Sequence, residues 1–361
     1  MRSRRILVTG LSTYWGGRLA QELEADPEVE AIVGVDTKEP TRALERTEFV
    51  RVGAQHALLR RIVQAAEIET VVDTRLAVDS GFGSSRQIHE NNVLGTMNIL
   101  AACSGSAREP SPVRKVIFKS SAHYYGAERD DPAFFTERMQ RPHAPRTRIE
   151  ADVVEAERAV AAFAERQPDL TVSVLRFVNG LGPGLATSHS ALFDLPFVPA
   201  ILGFDPRYQF IYADDIVGTL MHAVRVDLDG IFNVAGDGVL ALSEVAGGLG
   251  KPFAPLLPPV GTGIAIQALR RIGLNVPDEM RQQLRFGRAV DNRKLKGSGY
   301  ALRYTSREAV ARYAEHLRVK QITRGDEEPY RYEREVEDFL RYSPSVRNRP
   351  SAPPERRRAR R

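Results

Sequence analysis

The sequence predicts an α/β protein built on a doubly wound parallel sheet, with a smaller C-terminal substrate domain. Three observations carry this reading. Short apolar runs alternate with segments of helical periodicity from Ile6 to Leu175. Such alternation implies parallel strands covered by helices on both faces. The first run stops at a Thr9-Gly10 turn that feeds directly into a helix. The second run closes on a carboxylate, Asp36.

In chain order, Ile6–Val8 reads as the first strand and Gly16–Leu23 as the first helix, with Leu19 and Leu23 at helical spacing. Strands follow at Ala31–Val35, Phe49–Val52, Thr70–Val72, Val113–Phe118 and Leu170–Leu175. Between them, helices are expected over His56–Ala66, Asn92–Ala102 and Thr147–Gln167. The last shows Ile149, Val153, Ala156, Val160 and Phe163 as an apolar face. Further on, Gln209–Tyr212 and Ile231–Val234 read as strands, and Leu242–Leu249, Ser306–Leu317 and Tyr332–Tyr342 as helices. Asp214 and Asp215 stand at a helix start, where one is expected to cap and the other to meet the dipole. This is a Rossmann-type layout. It assigns residues 1–178 to a dinucleotide-binding domain and 179–342 to a substrate region, with 207–234 interleaved with the sheet. The Pro-, Ser- and Arg-rich stretch 343–361 is expected to be a disordered basic tail.

Bulk properties narrow the function. A chain of 361 residues with 42% apolar residues can bury a sizeable core. The net charge of +5 resides mostly in the arginines after Glu355, so the body is nearly neutral and offers no face for nucleic acid. Cys103 is the single cysteine, which excludes an internal disulfide and a thiolate metal cluster. No His, Cys and carboxylate group has metal-ligand spacing, and no segment reads as a membrane span. A soluble cytoplasmic protein is the expectation.

The chemistry begins at the turn. Gly10 permits its sharp bend, and Gly16 permits close packing of helix on strand. Between them stands Thr13, where a third glycine would let a pyrophosphate approach the backbone; its hydroxyl offers a phosphate contact instead. The helix N-terminus, with Tyr14 and Trp15, presents positive partial charge to an anion. Asp36 lies 20 residues beyond Gly16 and can accept both ribose hydroxyls. That favours NAD, while Lys38 leaves NADP open.

Six segments in order resemble the extended short-chain dehydrogenase/reductases of the NAD-dependent epimerase/dehydratase type. They are the glycine turn, Asn92-Val93-Leu94-Gly95-Thr96, Ser120-Ser121-Ala122-His123-Tyr124-Tyr125-Gly126, Arg176 to Gly184, Gln209 to Asp215, and Gly230-Ile231-Phe232-Asn233-Val234. The resemblance implies NAD contacts from Thr9, Leu76, Ala77, Asn92 and Ser120. It also implies that Ser121 hydrogen-bonds the substrate's reacting oxygen, and that Asn179, Tyr208 and Tyr212 line the side of a nucleotide-sugar substrate. Finally, it implies a homodimer through the Asn92–Ala102 and Thr147–Gln167 helices.

One departure bears on catalysis. The family's acid–base group is a Tyr with a Lys four residues on. Counted back from Glu155, these positions hold Thr147 and Ala151, which cannot do that chemistry. No Tyr of the chain has Lys at i+4. His123, Tyr124 and His143 are the nearest titratable replacements. Gly53 replaces the Asp that often meets the adenine, and Arg75 precedes Leu76 as a phosphate contact or a surface charge. Ser188-His189-Ser190 has no nucleophile-elbow context. Two functions stay open: an enzyme of transient hydride transfer with a non-standard acid–base group, and an inactive dinucleotide-binding regulator.

Overall fold

In the computed structural model, residues 3–53, 55–79, 83–105, 109–271 and 280–323 are described. Two compact units emerge, Met1–Ala314 and Glu315–Arg361. All that follows concerns the first. The expected Tyr332–Tyr342 helix and the tail from Ser343 lie outside the described residues.

The chain forms strands β1 (Arg5–Thr9), β2 (Ala31–Asp36), β3 (Thr47–Arg51), β4 (Thr70–Asp73), β5 (Lys115–Ser121) and β6 (Thr171–Phe177). Then come β7 (Asn179–Leu181), β8 (Val198–Ile201), β9 (Arg207–Tyr208), β10 (Phe210–Tyr212) and β11 (Gly230–Val234). The helices used below are α1 (Tyr14–Glu24), α2 (His56–Ala65), α3 (Ser85–His89), α4 (Gly95–Cys103), α5 (Arg148–Arg166), α6 (Ser188–Asp194) and α7 (Ala213–Arg225). Seven strands pair in the order β11-β6-β5-β4-β1-β2-β3, and all pairs are parallel. The order reverses between β1 and β4, so a crevice opens there at the carboxyl ends of the strands.

Strand periodicity sorts side chains onto two faces. Ile6, Val8, Val72, Ile117 and Leu175 pack with residues of α1 and α7. Leu7, Val33, Val71, Val116, Phe118 and Val174 pack with residues of α2, α4 and α5. On β5 this puts Lys115, Ile117, Lys119 and Ser121 toward the first face, and Ser120 toward α5.

Three expectations are refined. The helix read as Asn92–Ala102 is interrupted: α3 passes through a π-helical turn at Glu90–Leu94 into α4. Asn92 explains the break, since its amide donates to Ala77 O (2.7 Å) and its Oδ1 accepts from Ala77 N (2.8 Å). Asp214 and Asp215 both lie in the first turn of α7, and Tyr212 is the cap residue. Asp215 is buried and accepts from the amides of Arg303 (2.9 Å) and Tyr304 (3.0 Å), a packing role. The apolar face of α5 lies in the core, with Val153, Ala156, Val160 and Phe163 buried beside Ile99 and Leu100 of α4.

Candidate functional site

Two glycines hold the turn because nothing larger fits. Gly10 has φ +77°, and a Cβ on Gly16 would stand 2.3 Å from Gly10 O. Thr13 does not reach toward a phosphate. As the N-cap of α1, its hydroxyl donates to Gly10 O (2.7 Å) and accepts from Gly16 N (3.1 Å). The first-turn amides of Tyr14 and Trp15 have no acceptor within the helix, which leaves an anion-facing N-terminus. Thr9 ties the turn to β4, donating its hydroxyl to Asp73 Oδ1 (2.7 Å).

On one side of the turn is a cavity of about 250 Å³, bordered by Thr9, Asp36, Gly53 and Arg75. Asp36 Oδ2 accepts from the amide and hydroxyl of Ser12 (2.8 and 2.7 Å), so the carboxylate that would take a ribose is already aimed and held. A Cβ on Gly53 meets nothing within 4 Å, so the missing Asp leaves open space. Arg75 borders both sides of the turn and is paired with Asp73 (3.1 Å). It is neither a surface charge nor an unpaired cation.

On the other side is a narrow cleft of about 50 Å³. It is lined by Thr13 and Trp15, by Leu76 and Ala77, by Lys119, Ser120 and Ser121, and by Asn179. His123, His189 and Asp79 complete its polar wall. Asn92 does not line it. That side chain is spent on Ala77, whose loop it holds in place. Tyr208 and Tyr212 do not line it either. Tyr208 is buried and donates its hydroxyl to Gln283 O (2.8 Å), while Tyr212 sits edge-on to Tyr304.

Ser121 Oγ lies 2.7 Å from His123 Nδ1 and accepts from His123 N at 3.2 Å. On the far side of the imidazole, Nε2 lies 2.9 Å from the Gln283 side-chain nitrogen. An amide nitrogen only donates, so Nε2 accepts and the ring proton sits on Nδ1. Nδ1–H then donates to Ser121 Oγ, whose own proton has a long contact with Phe177 O (3.5 Å) as its acceptor. Desolvation, with Arg288, His189 and Lys119 nearby, holds the His123 pKa well below its ordinary value, so the ring is neutral. His189 is pushed down to about 3 by desolvation and by Arg288. Among the described residues its Nε2 is buried without a hydrogen-bond partner, while Gln283 beside the ring pulls its pKa up in part.

Beneath the cleft, Ser120 donates to Glu157, and Glu157 pairs with Arg176 (2.6 Å). Arg176 also lies over the Tyr124 ring at 3.5 Å. Burial works against its charge, but Glu157 more than offsets that and keeps its pKa above the ordinary value.

The helix that should carry acid and amine carries neither. Thr147 is the N-cap of α5, accepting from Glu150 N (3.2 Å), and Ala151 is half-buried. Glu155 is exposed, whereas Glu157 is the carboxylate held under β5. Counted back from Glu157, the pair would fall on Ile149 and Val153, and Ile149 packs in one cluster with Ala77. Neither count finds a phenol or an amine, because α5 contains no Tyr and no Lys.

Lys119 of the cleft and Gln283, which hydrogen-bonds His123, escape a motif search, and His189 is passed over for want of a nucleophile-elbow context. Lys119 is two residues before Ser121, and strand periodicity alone puts both on one face. His189 and Gln283 come from segments with no recognisable pattern. Among the described residues, no cluster of His, Cys, Asp and Glu could hold a metal, and no helix is long and apolar enough to cross a membrane.

Comparison with known proteins accords with this geometry. The chain is 32% identical over 317 residues to uncharacterised proteins of Mycobacterium tuberculosis and Mycobacterium bovis, covering 85% of this chain and 82% of theirs. In fold it is similar to the UDP-glucuronic acid 4-epimerase of Bacillus cereus (TM-score 0.66, 18% identity). It is also similar to the UDP-glucose 4-epimerase of Thermotoga maritima (TM-score 0.65, 19% identity). Each covers 88% of this chain, which in turn covers 99% of each. The profile of the NAD dependent epimerase/dehydratase family matches residues 6–235, and the chain belongs to that family.

Proposed function

We propose that this chain is an NAD-dependent epimerase/dehydratase acting on a nucleotide sugar, with its proton chemistry on β5 and the turn after it. The observation that carries this is the 2.7 Å contact of Ser121 with His123, in a cleft that opens off the glycine turn. The residues fit a dinucleotide: Gly10 and Gly16 let the turn and α1 pack tightly onto β1, the first-turn amides of α1 are left for an anion, and Asp36 borders a cavity. Bound there, NAD would supply a two-electron acceptor for a sugar carbinol.

Ser121 donates a hydrogen bond to the substrate oxygen, and His123 fixes the direction of that hydroxyl. Asn179 borders the same cleft, and its side-chain amide donates to Gln209 O (3.1 Å), which anchors β7 against the sugar side. The smaller sheets of residues 179–288 shape the sugar pocket. Exposed Leu94, at the end of the π-helical turn, and Met97 on α4 would serve a homodimer contact.

The test is a screen of UDP- and GDP-sugars with NAD, read by reduced-nicotinamide absorbance and by product analysis. Turnover that falls at least a hundredfold in Ser121→Ala supports the reading. Tight NAD binding without turnover on any sugar would favour the inactive regulator.

A further inference from the structure

Two lysines stand four residues apart on one face of β5, and their surroundings differ. Lys115 Nζ donates to three carbonyls at the end of α7, those of Ala223 (3.2 Å), Val224 (3.1 Å) and Val226 (3.1 Å). It also pairs with Asp227 at 2.7 Å. That is a saturated, structural ammonium. Lys119 Nζ has one hydrogen bond, to Leu76 O at 2.6 Å, and lies over the Trp15 ring at 4.4 Å. With 3% of the residue exposed, a side chain that has three donors has one acceptor among the described residues, at the cleft wall. A buried amine is rarely left so poorly satisfied without a chemical use.

Resting on the reading above, we infer that Lys119 is the general acid–base of the cleft, taking over from β5 the proton transfer that α5 cannot perform. In the oxidative direction the neutral amine of Lys119 takes the proton of the substrate hydroxyl. Bound NAD would accept the carbinol hydrogen with its electron pair as the C–O bond becomes a carbonyl. In the return direction the ammonium gives the proton back. Ser121 holds the oxygen in place throughout.

The surroundings suit an amine that changes charge. Burial moves the Lys119 pKa down to about 8, against the pull of Asp79 and Asp73. Asp73 is shared with Arg75, and Asp79 accepts from Ser188 N (2.6 Å). His123, from the turn after β5, and His189, from α6, are both held neutral. Burial also raises the pKa of Asp79 on the cleft wall, and Lys119 is a cleft base whose charge can change near neutral pH.

The test is calorimetry of NAD binding near pH 8 in two buffers of different ionisation enthalpy. A cationic nicotinamide beside Lys119 disfavours the ammonium, so binding NAD should release a fraction of a proton. ADP, which lacks the nicotinamide, should release none. Lys119→Met should bind ADP as the parent does and release no proton with NAD. Lys119→Arg keeps a permanent cation, and should bind NAD at least fivefold more weakly than Lys119→Met. An equal proton count in the parent and Lys119→Met would overturn the inference. Failure of the parent to bind NAD would instead overturn the proposed function. Intact ADP binding shows that each variant is folded.

Discussion

The Cβ that Gly16 lacks would stand 2.3 Å from Gly10 O, closer than any carbon can approach an oxygen without the helix shifting. The first turn of α1 is thereby pressed onto the end of β1, which aims the free amides of Tyr14 and Trp15 at the crevice. Gly16→Ala should destabilise the protein by about 1–3 kcal/mol through overpacking. It should also abolish NAD binding. Thermal unfolding and a fluorescence titration with NADH check both, and a variant that keeps parental affinity would detach this turn from the ligand.

Gly53 is the reverse case, a position with room to spare. Gly53→Asp places a carboxylate at the rim of the 250 Å³ cavity with no steric conflict. A new hydrogen bond of about 1 kcal/mol would tighten NAD binding roughly fivefold. Titration of parent and variant with NAD and with ADP should show the same gain for both, since the change concerns the adenosine half.

The Glu157–Arg176 pair, with 5% and 2% of the side chains exposed, is a structural element under the cleft. Glu157→Ala leaves a buried guanidinium uncompensated and should cost about 3–5 kcal/mol of stability. Urea unfolding measures it. A loss under 1 kcal/mol would mean that Arg176 finds another partner.

Acid should act through His189. Its folded pKa of about 3 lies below the ordinary value, so between those limits the unfolded chain binds the extra proton. Stability therefore falls as pH drops below about 6.5, by up to about 1.4 kcal/mol per pH unit from this ring. Phe193, Tyr208 and Phe210 surround it, so Phe fits the site. His189→Phe should flatten the stability–pH slope between pH 6 and pH 4. An unchanged slope would show that the ring takes up its proton without unfolding.

Most of the fold was legible in the sequence, because parallel strands buried on both faces read as short apolar runs and α5 carries a strict helical stripe. The placement of Gly10, Gly16 and Asp36 followed from the same pattern. The catalytic side was less legible for specific reasons. The search for acid and amine followed helical i, i+4 spacing, whereas Lys119 and Ser121 are related by the two-residue period of a strand. A charged residue inside Val116-Ile117-Phe118-Lys119 was the available signal. His189 and Gln283 meet His123 only through tertiary folding, since they come from α6 and from the helix Met280–Phe286. Thr13 read as a phosphate contact because sequence does not show that its hydroxyl is used by the helix cap.

The central claim, that proton chemistry resides on β5 and its exit turn, is tested most directly by single-turnover reduction of bound NAD by a nucleotide sugar, in the parent, Ser121→Ala and Lys119→Met. The account predicts reduced nicotinamide in the parent and at least a hundredfold slower formation in both variants, with ADP affinity unchanged. Parental rates in both variants would contradict it.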